Sequence, residues 1–283
     1  PRFFLLPGLI LLIAIIIFPL LFTIRVTFSS WNVSQTGLNF IGGENWSEMA
    51  RDTRYWGSML RLFYLSFLTV AIQYALGFAI ALFAWKGIAA RRFFRVLWLI
   101  PMMTTPSLMA IIWRSIFTED IGALNGLLSR VGLNPVNWLT ESGPANIAIT
   151  IVEVWQWTPF MMLIILAGLQ SQPPDILEAA AVDGASSRQI FRSMTLPHLR
   201  QYIQLSIVLG TIYIVQSMDF VFTITQGGPG SDSTIIPYQI YLTLFRKYEF
   251  GEAAAAGVIV IILTIILSSF AFRLIRNLLE TEK

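Results

Sequence analysis

Residues Pro173–Pro197 read PPDILEAAAVDGASSRQIFRSMTLP, a polar interval between two long apolar runs, Ile147–Leu169 and Tyr202–Ile224. Its punctuation specifies a helical hairpin. Pro173 and Pro174 suit a helix start, where their missing amide hydrogens would have no intrahelical partner. Asp175 brings negative charge to the positive end of that helix, and Ile176, Leu177, Ala180 and Ala181 give it an apolar surface. Gly184 fits a left-handed cap. Ser186, with Gln189 three residues later, is a capping-box pattern for a second short helix. Ile190, Phe191 and Met194 supply the apolar face of that helix, and Pro197 marks entry into the next run. On pattern alone the interval reads equally well as a plain amphipathic hairpin lying on a membrane surface.

Working outward, the flanking runs are two of six. The others are Phe3–Ile24, Leu62–Trp85, Phe93–Phe117 and Ala253–Ile275. Each approaches or exceeds the roughly 20 apolar residues that a helix needs to cross a hydrocarbon core of about 30 Å. The first is too long, and lacks a small-residue cleavage site, to be a removable signal peptide. The chain opens at Pro1, so a short N-terminal piece is expected to precede it. Pro7, Pro19, Pro101, Pro106 and Pro159 fall inside the runs, where neighbouring helices can re-satisfy the backbone at a kink. Of the 283 residues, 55% are hydrophobic and 12% charged, about half the charge of a soluble domain. The absence of cysteine excludes disulfides, thiolate metal sites and cysteine nucleophiles, and a net charge of +3 offers no footprint for nucleic acid. The expected fold is all-α: a polytopic membrane protein with six transmembrane helices and a cytoplasmic helix hairpin. One domain accounts for residues 1–283.

Basic residues near span ends set orientation. Arg2, then Lys86, Arg91, Arg92 and Arg95, then Arg188, Arg192 and Arg200, and finally Arg273, Arg276 and Lys283 all fall on one side. That side carries only five acids, Asp175, Glu178, Asp183, Glu280 and Glu282. Both termini are therefore expected in the cytoplasm. The outer connections, about 27–61, 118–146 and 225–252, hold Trp31, Trp46, Trp56 and Trp138 at interface positions.

Within the hairpin, Glu178-Ala179-Ala180 is followed after three residues by Gly184, and nine further residues lead to Met194-Thr195-Leu196-Pro197. This resembles the EAA loop of ABC importer permeases, with Met194 in place of the usual Ile. The resemblance implies a loop docked on a separate ATPase subunit, with Glu178, Asp183, Gly184, Leu196 and Pro197 at the coupling contact and Ala179 and Ala180 permitting close approach. No Gly-rich phosphate loop occurs in the chain. On this reading ATP and Mg belong to the partner, and the chain itself binds no cofactor. A second resemblance, in Asp219-Phe220, Thr225-Gln226-Gly227-Gly228-Pro229 and Tyr248–Ala255, is to carbohydrate-type permeases of the maltose and glycerol-phosphate group. It implies a second similar permease, two ATPase subunits and an external solute-binding protein as partners, in a bacterial or archaeal inner membrane. Asp219, Gly227, Gly228 and Pro229 are then expected at the outer gate and binding-protein loop.

Glu153 and Asp219 lie in outer parts of their spans, where burying a charge costs less than at the centre. Each is expected either to pair with Arg25, Arg61 or Arg114 or to touch solute. Glu153, Trp157 and Phe160 share one helical face. Gly210, Tyr213, Ile214 and Ser217 share another, with Gln216 beside them. Aromatic platforms mixed with hydroxyl and amide groups suit a sugar, and ordinary interhelical packing accounts for the same residues. His198 stands without a ligand-spaced partner, so neither a metal site nor a catalytic dyad is expected. The function this reading favours is a non-enzymatic permease that moves a sugar or sugar-like solute by alternating access. An ion-gradient-driven transporter, or an ABC permease for a glycerol phosphate or polyamine, remains open.

Overall fold

A computed structural model describes residues 6–86 and 91–280. Arg2, Glu282, Lys283, the start of the expected first span and most of the basic connection after the second lie outside these residues, as do the side chains of Arg91, Arg92, Arg95, Arg276 and Glu280. The described chain is mostly helical. In order come α1 (Leu6–Thr27), a two-stranded antiparallel ribbon of β1 (Ser29–Ser30) and β2 (Asn39–Phe40), α2 (Glu44–Arg51) and α3 (Thr53–Trp85). Next are α4 (Arg91–Met103), α5 (Pro106–Ile116), α6 (Ala123–Arg130) and α7 (Ser142–Gln170). The hairpin helix α8 (Pro174–Val182), α9 (Ser187–Thr225), α10 (Ile236–Leu242) and α11 (Phe250–Glu280) complete the order.

Helices α1, α3, α7, α9 and α11 are long and apolar enough to cross a membrane, and α4 with α5 makes a sixth if that bent pair counts as one span. The expected third span, a continuous Phe93–Phe117, is corrected here. The chain turns by 100° between α4 and α5. Thr105, directly before Pro106, is extended at φ −67°, ψ 125°, because the proline ring clashes with a helical conformation of the residue before it. The expected fifth span, Tyr202–Ile224, is likewise interrupted, at Ser217 (φ −76°, ψ 133°). The second span begins at Thr53 rather than Leu62. Pro159 leaves α7 continuous.

The chain divides into two compact units, one running to Arg61 and resuming over Thr234–Leu263, the other comprising Leu62–Ser233 and the chain from Thr264. In the first, buried Asn45 donates from Nδ2 to the carbonyls of Thr27 (2.9 Å) and Ser29 (3.0 Å), tying α2 to the strand that follows α1. Tyr55 gives its hydroxyl to Glu252 (2.8 Å), and Arg61 Nη1 donates to the Thr234 carbonyl (2.6 Å).

In the second unit α7 packs against both α4 and α9. Its core joins Ala81 and Ala84 of α3 to Met162, Ile165, Leu166 and Leu169 of α7 and Leu199 and Ile203 of α9. Burying a Leu or Ile side chain against protein secures packing contacts at close to crystal density. The α7–α9 pairing therefore fixes the two ends from which the hairpin leaves and to which it returns.

Candidate functional site

The hairpin forms by the local chemistry its sequence specifies. Pro173 is the N-cap, with Pro174 in the first turn and Asp175 beside it. At the other end Gly184 takes φ +84°, a conformation that costs a side-chain-bearing residue energy and glycine almost none. The amide of Ala185 bonds to the carbonyl of Ala180 (3.0 Å), and that of Gly184 to Ala181 (3.1 Å). This pair of bonds is a complete Schellman closure, which satisfies carbonyls that the helix end would leave orphaned. The capping box then opens α9: Gln189 N–H donates to Ser186 Oγ (3.4 Å) and Ser186 N–H to Gln189 Oε1 (2.8 Å). Glu178, Ala179, Asp183, Gly184 and Pro197 are exposed, Leu196 is half-buried, and Ala180 is buried. A polar tip with both of its helix ends capped is thereby offered to solvent.

Farther along the same two helices, Trp157 and Phe160 of α7 meet Tyr213 of α9. Trp157 and Tyr213 stack with ring centroids 5.3 Å apart and planes 14° from parallel. Phe160 stands edge-on to Tyr213 at 5.5 Å and to Trp157 at 6.5 Å, within the range of favourable ring pairs. Tyr213 remains 48% exposed. The other expected pathway residues divide. Gly210 and Ile214 are buried, Gly210 against Met161. Gln216 is exposed and Ser217 half-buried at the break. Glu153 is only 5% exposed, and its backbone carbonyl accepts from Gln73 Nε2 of α3 (2.9 Å).

The expected pairing of Glu153 or Asp219 with an outer arginine is corrected. Arg114 Nη1 donates to the Thr223 carbonyl (3.0 Å), Arg61 to Thr234, and Asp219 Oδ1 accepts from Ser107 Oγ (3.2 Å). Thr223 lies in the last turn of α9, where carbonyls have no intrahelical partner and so accept from Arg114. Gly227 (φ +81°) lies in the tight loop after α9 with Gly228 and Pro229. Ser233 Oγ donates within this loop to the Gly228 carbonyl (2.6 Å), and Asn146 Nδ2, at the start of α7, reaches the carbonyl of Asp232 (3.0 Å).

The buried amides of Gln156 and Gln73 escaped the sequence reading. Gln156 of α7 donates from one Nε2 to both Pro101 (2.6 Å) and Thr104 (3.0 Å), the carbonyls at the α4–α5 break. Gln73 bridges α3 and α7. The available signal was an amide inside an otherwise apolar run, which in a membrane helix must find a partner. An open cleft of about 750 Å³ beside these helices is lined by Leu68, Ile72, Trp98, Ile151, Val154 and further apolar side chains. A polyhydroxylated solute would lose its water there with almost nothing to replace it.

Residues 73–281 match the family model described as the binding-protein-dependent transport system inner membrane component, and the chain belongs to that family. It is a multi-pass inner-membrane permease component of binding-protein-dependent ABC import. It is 33% identical over 277 residues to the probable ABC transporter permease protein y4oQ of Sinorhizobium fredii, covering 97% of this chain and 89% of that one. It is 32% identical over 265 residues to the trehalose/maltose transport system permease protein MalF of Thermococcus litoralis, covering 94% and 88%. In fold it resembles a chain in the crystal structure of a bacterial ABC transporter involved in the import of the acidic polysaccharide alginate, with a TM-score of 0.83, 20% identity and coverage of 98% and 94%.

Proposed function

We propose that the chain, acting as one transmembrane domain over its whole length, moves a sugar or sugar-like solute through the membrane and performs no chemistry itself. The observation that carries this reading is that α7 and α9 hold both the hairpin and the aromatic cluster. At 1.5 Å per residue, Trp157 stands about 20 Å along its helix from Gln170, and Tyr213 about 24 Å along from Pro197. One helix pair thus links a polar tip to a half-exposed aromatic platform deep in the span. Flat ring faces receive the C–H side of a sugar, and the Tyr213 hydroxyl with Gln216 and Ser217 at the helix break answers its hydroxyls. The trehalose/maltose naming of the Thermococcus relative favours the same solute class.

In this reading Glu178, Asp183 and Gly184 form the contact with an ATPase subunit, two of which hold ATP and Mg, and a second similar permease completes the pathway. The lysine and arginine distribution puts both termini and the hairpin in the cytoplasm. The outer loop with Asp219, Gly227, Gly228 and Pro229 receives an external binding protein. Loaded binding protein and ATP together close the ATPases and open the pathway outward; hydrolysis resets it inward.

The test is uptake of labelled maltose-type disaccharides and polyols into proteoliposomes containing the complex and its binding protein. Trp157→Ala with Tyr213→Ala should reduce uptake at least tenfold while the amount of assembled complex stays constant; a loss of 1.4 kcal/mol in solute interaction suffices for that factor. Undiminished uptake by the double variant removes the cluster from the pathway. Uptake that persists without ATP refutes the ATP-driven reading.

A further inference from the structure

We infer that Ser171, His198 and Tyr202 are positioning residues that clamp the base of the cytoplasmic hairpin, so that the hairpin and the helices α7 and α9 move as one body. The inference rests on the coupling reading above and adds to it the residues that carry motion from the tip into the membrane.

Ser171 is the C-cap of α7, and its amide bonds to the carbonyl of Ala167 (3.0 Å). Its hydroxyl has three partners: the Gly168 carbonyl at 2.9 Å, Tyr202 OH at 2.8 Å and His198 Nε2 at 3.0 Å. A serine hydroxyl holds one hydrogen and two lone pairs. All three contacts are satisfied when Ser171 donates to the Gly168 carbonyl and accepts from Tyr202 O–H and from His198 Nε2–H. The first bond uses a carbonyl that the helix end would leave free. The other two cross to α9, where His198 and Tyr202 sit one turn apart on a shared face, their rings 6.0 Å from each other. Ser171 and His198 lie 27 residues apart in the chain, with the whole hairpin between them.

Packing closes the same point. A β-carbon added at Gly168 would lie 2.6 Å from the Tyr202 ring and 2.8 Å from the Leu199 side chain, so α7 and α9 cross here at a separation that only glycine permits. Leu199 is wholly buried in this crossing. The two feet of the hairpin are therefore joined by close packing on the membrane side and by the hydroxyl relay on the solvent side. A hairpin whose feet could spread would absorb a displacement applied at Glu178; one with joined feet transmits it. Ser171 is itself exposed, where water can replace a lost partner. The relay accordingly adds fixed geometry at the hairpin base more than it adds global stability.

The experiment measures ATP hydrolysed per solute imported by the complex purified with its ATPase subunits, reconstituted with binding protein. Ser171→Ala and Tyr202→Phe, singly and together, should raise that ratio about fivefold for each hydrogen bond removed, at unchanged yield of assembled complex. Ser171→Thr, which keeps the hydroxyl, should restore it. Glu178→Arg at the tip is the comparator. If Glu178→Arg raises the ratio and the base variants do not, the clamp is overturned and the coupling contact stands. If Glu178→Arg also leaves the ratio unchanged, the coupling reading fails, and the clamp with it. A loss of assembled complex at constant ratio overturns the clamp in favour of a folding role.

Discussion

The cytoplasmic hairpin and the break between α4 and α5 both interrupt helices, and both release backbone groups that must find partners. They meet the need in opposite ways. At the hairpin every solution is local: Ala185 closes on Ala180, Gly184 on Ala181, and Ser186 and Gln189 on each other. At the break a local bond from Thr104 Oγ1 to the Pro101 carbonyl (2.6 Å) is joined by one from another helix, because Gln156 of α7 reaches more than fifty residues back to Pro101 and Thr104. The locally closed element stands in water, where unmet groups cost little, and holds its own turn without help from another helix. The remotely closed element is tied to α7 through buried Gln156, so its geometry depends on a second helix.

Substitutions can separate the two kinds of closure. Gln156→Leu should have the largest effect, about 2–3 kcal/mol, since it removes the buried amide that ties both carbonyls of the break to α7. The measurement is thermal unfolding of the purified complex, with amide exchange rising in both α7 and α4–α5. Exchange confined to α4–α5 would break the comparison by showing that the break is not held from α7. Gly184→Val comes next, at about 1–2 kcal/mol, because a β-branched residue is forced to positive φ. Faster exchange should stay within Pro174–Thr195, with the unfolding midpoint little changed. Ser186→Ala should be smallest, about 0.5–1 kcal/mol for the lost cap, seen as faster exchange of the Gln189 amide alone. A global drop in unfolding temperature from either hairpin variant would show that the tip is not independently closed.

The same division explains what the sequence disclosed. The hairpin was legible almost residue by residue, since proline, glycine and a Ser–Gln pair act over three or four positions. The long apolar runs disclosed which segments are spans, and Pro106 marked where the third one bends. The size of that bend was not legible, because it depends on Gln156 arriving from another part of the chain to accept the broken geometry. The ion pairs expected for Glu153 and Asp219 failed for a related reason. Charge alone does not say that Arg114 will prefer the Thr223 carbonyl or that Ser107 will stand beside Asp219. Periodicity put Trp157 and Phe160 on one face of their helix and Tyr213 on one face of the next, and the structure brings their rings together. It also grouped with them Gly210 and Ile214, which the structure buries.

Gly184 has positive φ and nothing within 4 Å of where a β-carbon would stand. The demand for glycine there is thus one of handedness and not of room. A residue of the mirror-image configuration would fit the backbone of the turn without strain, while placing a methyl group on the solvent face of the tip. An ordinary L-alanine would place its methyl in open space too, and would strain the turn. Stereochemistry therefore offers a means of telling the needs of the chain at this position from those of whatever docks against it.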